Sequence, residues 1–159
     1  MLDPNNIVFN SMLRQVRRFE QNRRKRNEDR DNIIALYGAD SPEMEKWYKT
    51  VTQSMYPLTP GSSKALMAWT DSIAQNTEEL ELSTPLFHTE ASDFIRTLRH
   101  AGISAFIYTN QSAYTMKNIH AFVHEGCQLL GLYQTKRRKY KAKWMETILG
   151  IRFEIPSTY

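Results

Sequence analysis

The chain has 159 residues and a small basic excess, since 21 lysine and arginine residues against 17 aspartate and glutamate residues give a net charge of +4. A charge of this size excludes a histone-like polycation, so the distribution of the charges matters more than their sum. Cys127 is the only cysteine, which excludes an intramolecular disulfide framework. The sequence contains neither an apolar run of about 18 residues nor a signal-peptide core, and therefore predicts a cytoplasmic protein.

The first 76 residues predict a helical N-terminal part. An Asp-Pro pair at residues 3–4 marks a helix start, and apolar residues follow at helical spacing over 9–19. A Ser-Pro pair at residues 41–42 marks a second helix, and a third helix is predicted over 64–74. About three helices are therefore expected before residue 77.

The predicted first helix carries a basic cluster in a stretch, residues 20–32, that has no apolar side chain. Such a cluster contacts nucleic acid or an acidic partner in some proteins, and in others it is a solvated helix surface with i,i+4 charge pairs. Both interpretations stay open, and both predict that the cations are exposed. The cluster consists of Arg23, Arg24, Lys25 and Arg26.

Residues 77–91 are acidic and contain no lysine or arginine, which predicts a linker or a short edge strand. Beyond them, residues 92–155 alternate between helical periodicity and short runs rich in β-branched and aromatic residues. Gly102 and Gly126 each follow a helical pattern, where glycine readily ends a helix. The predicted order is helix 93–101, strand 103–109, helix 113–126, strand 127–134 and strand 146–155.

This order predicts the α+β class, with N-terminal helices and a C-terminal αβαββ unit whose sheet of about three strands is covered by helices. The expected organisation is 1–76, 77–91 and 92–155 within one compact globular domain. The predicted core takes one face of each element in the C-terminal unit. It comprises Phe94, Ile95, Leu98, Phe106, Ile119, Phe122, Val123, Leu130, Ile151 and Phe153.

The C-terminal series also carries a resemblance. The segment FIRTLRHAGISAFIYTNQSAYTMKNIHAFVHEGCQLLGLY, followed by ILGIRFEI, resembles an uncharacterised small domain found on conjugative elements and phages of gut and oral bacteria. The resemblance covers residues 92–155 and implies a fold and a mobile-element setting, but no catalytic residue. The basic loop at 136–143 departs from the pattern of that group.

The basic loop at 136–143 is the strongest local indication of function in the sequence. Six of its eight residues are cations and none is acidic, and aromatic residues occur at positions 140 and 144. Cations neutralise phosphates and aromatic rings stack on bases, so the loop predicts a protruding contact to a polyanion; a solvated loop is the alternative. The candidate residues are Lys136, Arg137, Arg138, Lys139, Tyr140, Lys141, Lys143 and Trp144.

Two other groups of polar residues have competing interpretations. His120, His124 and Cys127 have the spacing of a helix-borne zinc site, but they also fit structural positions at the border of a buried helix face. The polar turn at 108–114 fits helix capping or contact with an anionic ligand. We therefore predict no metal and no cofactor.

The sequence contains no Gly-x-Ser-x-Gly, His-Glu-x-x-His or Gly-x-Gly-x-x-Gly motif, so it predicts a non-enzymatic protein. We expect an accessory protein of a mobile element or phage that binds nucleic acid or a nucleoprotein through its two basic segments, and that can form a homo-oligomer. One alternative is an anti-CRISPR-like inhibitor that occludes a host defence nuclease. Another is a small metal-dependent enzyme that uses His120, His124 and Cys127.

Overall fold

The computed structural model describes residues 2–51, 55–110, 112–138 and 144–157. It has the α+β fold expected from the sequence. The chain divides into two compact units, a helical unit of Ser11–Leu58 and a sheet unit of Met1–Asn10 with Thr59–Tyr159. The predicted division at residues 76 and 91 stays a prediction; the compact units divide the chain at other positions.

The helical unit contains most of α1 (Ile7–Tyr37) and all of α2 (Pro42–Val51). α1 is followed by Gly38, whose φ of +92° is a left-handed conformation that glycine adopts without steric cost. Ser41 starts α2, because its hydroxyl accepts a hydrogen bond from the Met44 amide at 3.2 Å. These two residues explain why α1 ends at Tyr37 and α2 begins at Pro42.

Among its described residues, the sheet unit contains three complete helices and four strands. These elements are α3 (Pro60–Ala74), β1 (Leu80–Leu82), α4 (Ala91–His100), β2 (Ala105–Tyr108), α5 (Thr115–His124), β3 (Gln128–Arg138) and β4 (Met145–Glu154). A 3₁₀ turn, His88–Glu90, precedes α4. The strand order is β1-β2-β4-β3, in which β1 and β2 are parallel and the other two pairs are antiparallel.

The fourth strand comes from the acidic segment, where the sequence allowed either a linker or a short edge strand. β1 alternates Leu-Glu-Leu, and both leucines are fully buried beside Phe106 and Tyr108 of β2. Burial of these two side chains favours a strand, although three of the four residues 78–81 are acidic. The short edge strand is confirmed, and the sheet has four strands in place of about three.

The last two strands form a longer hairpin than the sequence predicted. β3 continues to Arg138, whereas the strand was expected to end at residue 134 and the basic loop to begin at residue 136. The loop prediction is therefore wrong for its first three residues. They join the sheet because each pairs with a residue of β4, Lys136 with Thr147, Arg137 with Glu146 and Arg138 with Met145.

The core of the sheet unit includes a cluster of four phenylalanines between α4, α5 and the sheet. Phe122 of α5 lies 5.1 Å from Phe106 and 5.3 Å from Phe153, ring centre to ring centre, in edge-to-face contact. Phe94 of α4 lies 5.6 Å from Phe106 in the same geometry. All four side chains are fully buried, and such ring pairs add about 0.5–1.5 kcal/mol each to the burial of their area.

The core prediction is wrong for two residues, which are exposed, and two more, Ile119 and Ile151, are only half-buried. Val123 is 51% exposed, because α5 directs Asn118 and Phe122, one turn apart, toward the interior. Leu130 is 47% exposed, because it lies in a register shift between Leu129 and its neighbour Gly131. A bulge leaves its extra residue outside the regular pairing, so the expected alternation fails there.

Candidate nucleic-acid interface

The helical unit carries a group of cations on one side of α1. An α-helix turns about 100° per residue, so residues spaced by three, four or seven positions share a face. Five exposed cations fall within an arc of about 120° and along about 17 Å of the helix axis. This group, the α1 basic face, consists of Arg14, Arg17, Arg18, Arg24 and Lys25.

The α1 basic face has no charge partner among the residues that the structure describes. Within the described part of the chain, none of its five side chains makes an ion pair or a hydrogen bond. Glu28 and Asp29 lie one turn beyond Arg24 and Lys25, where an i,i+4 pair would form, and they do not pair with them. Among the described residues, these five cations therefore lack the i,i+4 charge pairs that are typical of a solvated helix surface.

The other cations of α1 lie on a different side and do have partners. Arg23 forms an ion pair with Glu20 at 2.6 Å, and the Arg26 guanidinium donates to the Asn22 carbonyl oxygen at 3.2 Å. Both arginines continue the side of the helix that carries the apolar residues of 12–19. Arg30, which pairs with its neighbour at 3.2 Å, belongs to the same side.

The predicted cluster at residues 23–26 is thus divided by the helix. Arg24 and Lys25 belong to the α1 basic face, whereas Arg23 and Arg26 do not. The predicted exposure is confirmed for Arg23, Arg24 and Lys25, and Arg26 is half-buried. Arg14, Arg17 and Arg18 belong to the same basic stretch of the sequence but were not among the predicted contact residues. Their spacing of three and four residues was a signal that could have identified the face.

In the sheet unit, the hairpin of β3 and β4 contributes arginines to two internal ion pairs. Arg137 donates to Glu81 of β1 at 2.7 Å through one nitrogen, and its second nitrogen pairs with the other carboxylate oxygen. Arg152 pairs with Glu79 at 2.6 Å. The acidic segment 77–91 therefore supplies counter-charges to the basic hairpin, which its sequence did not reveal.

Glu81 is a fixed acceptor for Arg137. It is only 5% exposed, and its backbone amide donates to the Ser72 hydroxyl of α3 at 3.0 Å. The hydrogen bonds to Glu81 raise the pKa of the Arg137 guanidinium further above its ordinary value, because they favour the charged form. Arg137 therefore has a structural role, and its contact with an external polyanion stays a prediction.

The other candidate residues at 136–144 are either exposed, paired through the backbone, or outside the described residues. Lys136 is exposed on β3, and Trp144 is 66% exposed just before β4. Arg138 is the last residue of β3 and pairs with Met145 through the backbone. The other four candidates lie outside the described residues; they are Lys139, Tyr140, Lys141 and Lys143.

The proposed zinc ligands do not converge. His120 and His124 lie on the exposed side of α5, where they line a shallow groove together with His88. Cys127 is only 4% exposed, and its burial raises the pKa of the thiol to about 11, an effect that nearby Arg99 partly offsets. In the part of the chain that the structure describes, no three residues of the usual ligand types could hold a metal ion.

The hydroxyl groups of the polar turn before α5 form hydrogen bonds within the turn. Ser112 accepts from the Tyr114 amide at 3.2 Å, and Thr115 accepts from the Ser112 amide at 2.8 Å. These bonds hold the turn itself. α5 has its N-cap at Tyr114 without a side-chain capping bond, so the predicted capping of this helix is not formed. A cleft of about 680 Å³ lies beside the turn, and Leu132 and Leu149 of the hairpin contribute to its lining.

Comparison with known families places the sheet unit. A family model described as a domain of unknown function, DUF7698, matches residues 64–155. The chain belongs to the DUF7698 family. The comparisons with curated proteins and with solved structures give no significant match.

The DUF7698 match agrees in kind with the resemblance found in residues 92–155, an uncharacterised small domain, and extends it into α3. The mobile-element setting stays a prediction. α1 and α2 precede the matched residues, so the α1 basic face lies outside the DUF7698 domain and the hairpin lies inside it. Among the described residues, every helix is too short or too polar to cross a membrane.

Proposed function

We propose that this DUF7698-family chain is a non-enzymatic nucleic-acid-binding protein, with the α1 basic face as its main contact. The observation that carries the proposal is the arrangement of five exposed cations on one helix face without internal partners among the described residues. A face of this kind can neutralise several phosphates at once and release their condensed counterions, which is the main source of affinity for nucleic acid.

The positions of the cations around α1 favour nucleic-acid binding over a merely solvated helix surface. Arg23, Arg26 and Arg30 are held by intrahelical contacts, whereas the α1 basic face keeps its charges exposed. Exposed like charges on neighbouring turns repel one another by about 0.2–0.5 kcal/mol per pair. A polyanion that lies along the face relieves this repulsion.

The hairpin end is the second contact in this proposal. Arg137 is paired internally with Glu81, so we do not count it among the contacting cations at 136–143. Lys136 and Trp144 are both exposed, and an indole ring can stack on a base while lysines bind phosphates. We place the hairpin second because its charge is already partly neutralised.

The test is a fluorescence-anisotropy titration of labelled single-stranded and duplex oligonucleotides at low salt. Two variants with equal reduction of charge are compared with the wild type, and circular dichroism checks that each keeps its helicity. The face variant carries Arg17→Ala, Arg18→Ala and Lys25→Ala, and the matched control carries Arg23→Ala, Arg26→Ala and Arg30→Ala.

We expect the affinity of the face variant to fall about tenfold or more and that of the control to fall much less. An equal fall in the two variants would mean that only total charge matters. No binding by the wild type at low salt would contradict the proposed function. In that case, capture from host lysate with and without nuclease treatment tests a direct protein partner, such as a defence nuclease.

A further inference from the structure

Gln21 occupies the centre of the α1 basic face. Positions three and four residues away on a helix are its surface neighbours, and all four such neighbours of Gln21 are cations, Arg17, Arg18, Arg24 and Lys25. Gln21 is exposed, and within the described residues its amide makes no hydrogen bond. An uncharged donor and acceptor thus stands in the middle of a ring of positive charge.

We infer that α1 enters the major groove of duplex DNA, with the surrounding cations on the phosphates and Gln21 on a base edge. This inference rests on the proposed function and specifies its ligand. In helical projection, Arg17 and Arg24 form one margin of the face, Arg18 and Lys25 form the other, and Gln21 lies between them. The two margins are about 100° apart, so each can meet the phosphates of one strand while Gln21 points to the groove floor.

The geometry favours duplex DNA over the other nucleic acids. The major groove of B-DNA is about 12 Å wide and admits an α-helix, whereas the major groove of duplex RNA is too narrow for side chains to read. Single-stranded nucleic acid is held mainly by aromatic stacking, and the α1 basic face contains no aromatic residue. A rigid helix with cations along both margins fits two strands rather than one.

The chemistry of Gln21 predicts which base it contacts. A glutamine amide can donate to N7 and accept from N6 of adenine at the same time, an arrangement that no other base offers in the major groove. Contacts to phosphate position a protein without reading sequence, so the cations supply affinity and Gln21 supplies discrimination. The expected preference for a matching site is about 5- to 150-fold.

The experiment is a selection from a pool of 20-base-pair duplexes with a randomised centre, followed by anisotropy titrations of the selected duplex, its scrambled version and its single strand. The full chain is used as wild type and in three variants. Gln21→Ala removes the amide, and Gln21→Glu keeps only acceptors, which suit the N4 amino group of cytosine. Gln15→Ala is the control, because Gln15 is exposed on the same helix but outside the α1 basic face.

The inference is supported if the wild type and Gln15→Ala select a motif that contains adenine, Gln21→Ala binds without preference, and Gln21→Glu shifts the preference to cytosine. It is overturned if Gln21→Ala selects the wild-type motif, or if single strand and duplex bind equally well. These outcomes are distinct from failure of the proposed function, which would show as no binding of any oligonucleotide by the wild type.

Discussion

The sequence contains two similar basic runs, at residues 23–26 and 136–143, and their described cations have different partners in the structure. The run in α1 lies outside the DUF7698 match. There, Arg24 and Lys25 lie on a face without internal partners among the described residues, whereas Arg23 and Arg26 lie on the other side of the helix. In the hairpin, inside the match, Arg137 is paired with a buried carboxylate. A run of cations therefore predicts a binding surface only after the periodicity of its element and its internal partners are known.

The largest expected effect tests whether the DUF7698 domain depends on its aromatic core rather than on its charges. Replacing Phe122 by Ala removes a fully buried ring and should lower the free energy of unfolding by about 3–5 kcal/mol. Val123→Ala is the control, since the side chain is 51% exposed and its removal should cost less than about 1 kcal/mol. Urea unfolding followed by circular dichroism measures both, and similar values would refute this assignment of the core.

The next effect separates the two kinds of cation within the hairpin. Arg137→Ala leaves Glu81 buried without its cation and should cost on the order of 3 kcal/mol of stability. Lys136→Ala removes an exposed neighbour and should change stability by no more than about 0.5 kcal/mol. Thermal unfolding of the two variants compares them directly. Equal stabilities would show that the pair with Glu81 contributes nothing and that Arg137 is available to a ligand.

The sequence predicts the parts of the fold that depend on local periodicity. Phe94, Phe122 and Phe153 repeat at helix or strand spacing, and all are buried as expected. The pair of Arg137 and Glu81 joins residues 56 positions apart, and no local pattern encodes such a contact. In the same way, the end of β3 has no apolar alternation and becomes a strand only because β4 pairs with it.

The candidate site shows the same limit. The spacing of the cations in α1 predicts that five of them share one helix face. The sequence does not show which arginines of α1 form ion pairs or hydrogen bonds within the helix. Asn118 is a further example, since a polar residue on a helix is expected at the surface. It is fully buried, where its amide donates to the Leu86 carbonyl oxygen at 2.7 Å and to the Tyr108 hydroxyl at 3.0 Å.

A smaller effect tests the buried thiol of the DUF7698 domain. The pKa of Cys127 is about 11 in the folded chain against an ordinary value of 9.0, so the unfolded chain loses this proton first as pH rises. The contribution of Cys127 to stability is therefore complete below pH 9 and disappears between about pH 9 and 11. Comparing the pH dependence of urea unfolding for wild type and Cys127→Ala isolates it. Parallel curves over that range would contradict the assignment.

The salt dependence of binding tests the central claim most directly, because it counts the phosphates that each region neutralises. The slope of log affinity against log salt for duplex DNA changes by about 0.9 for each phosphate that the protein no longer neutralises. The face variant, with Arg17, Arg18 and Lys25 replaced by Ala, should reduce the slope by about 2–3, and the matched control with Arg23, Arg26 and Arg30 replaced should leave it nearly unchanged. A slope that is the same in wild type and face variant would contradict the assignment of the α1 basic face as the main contact.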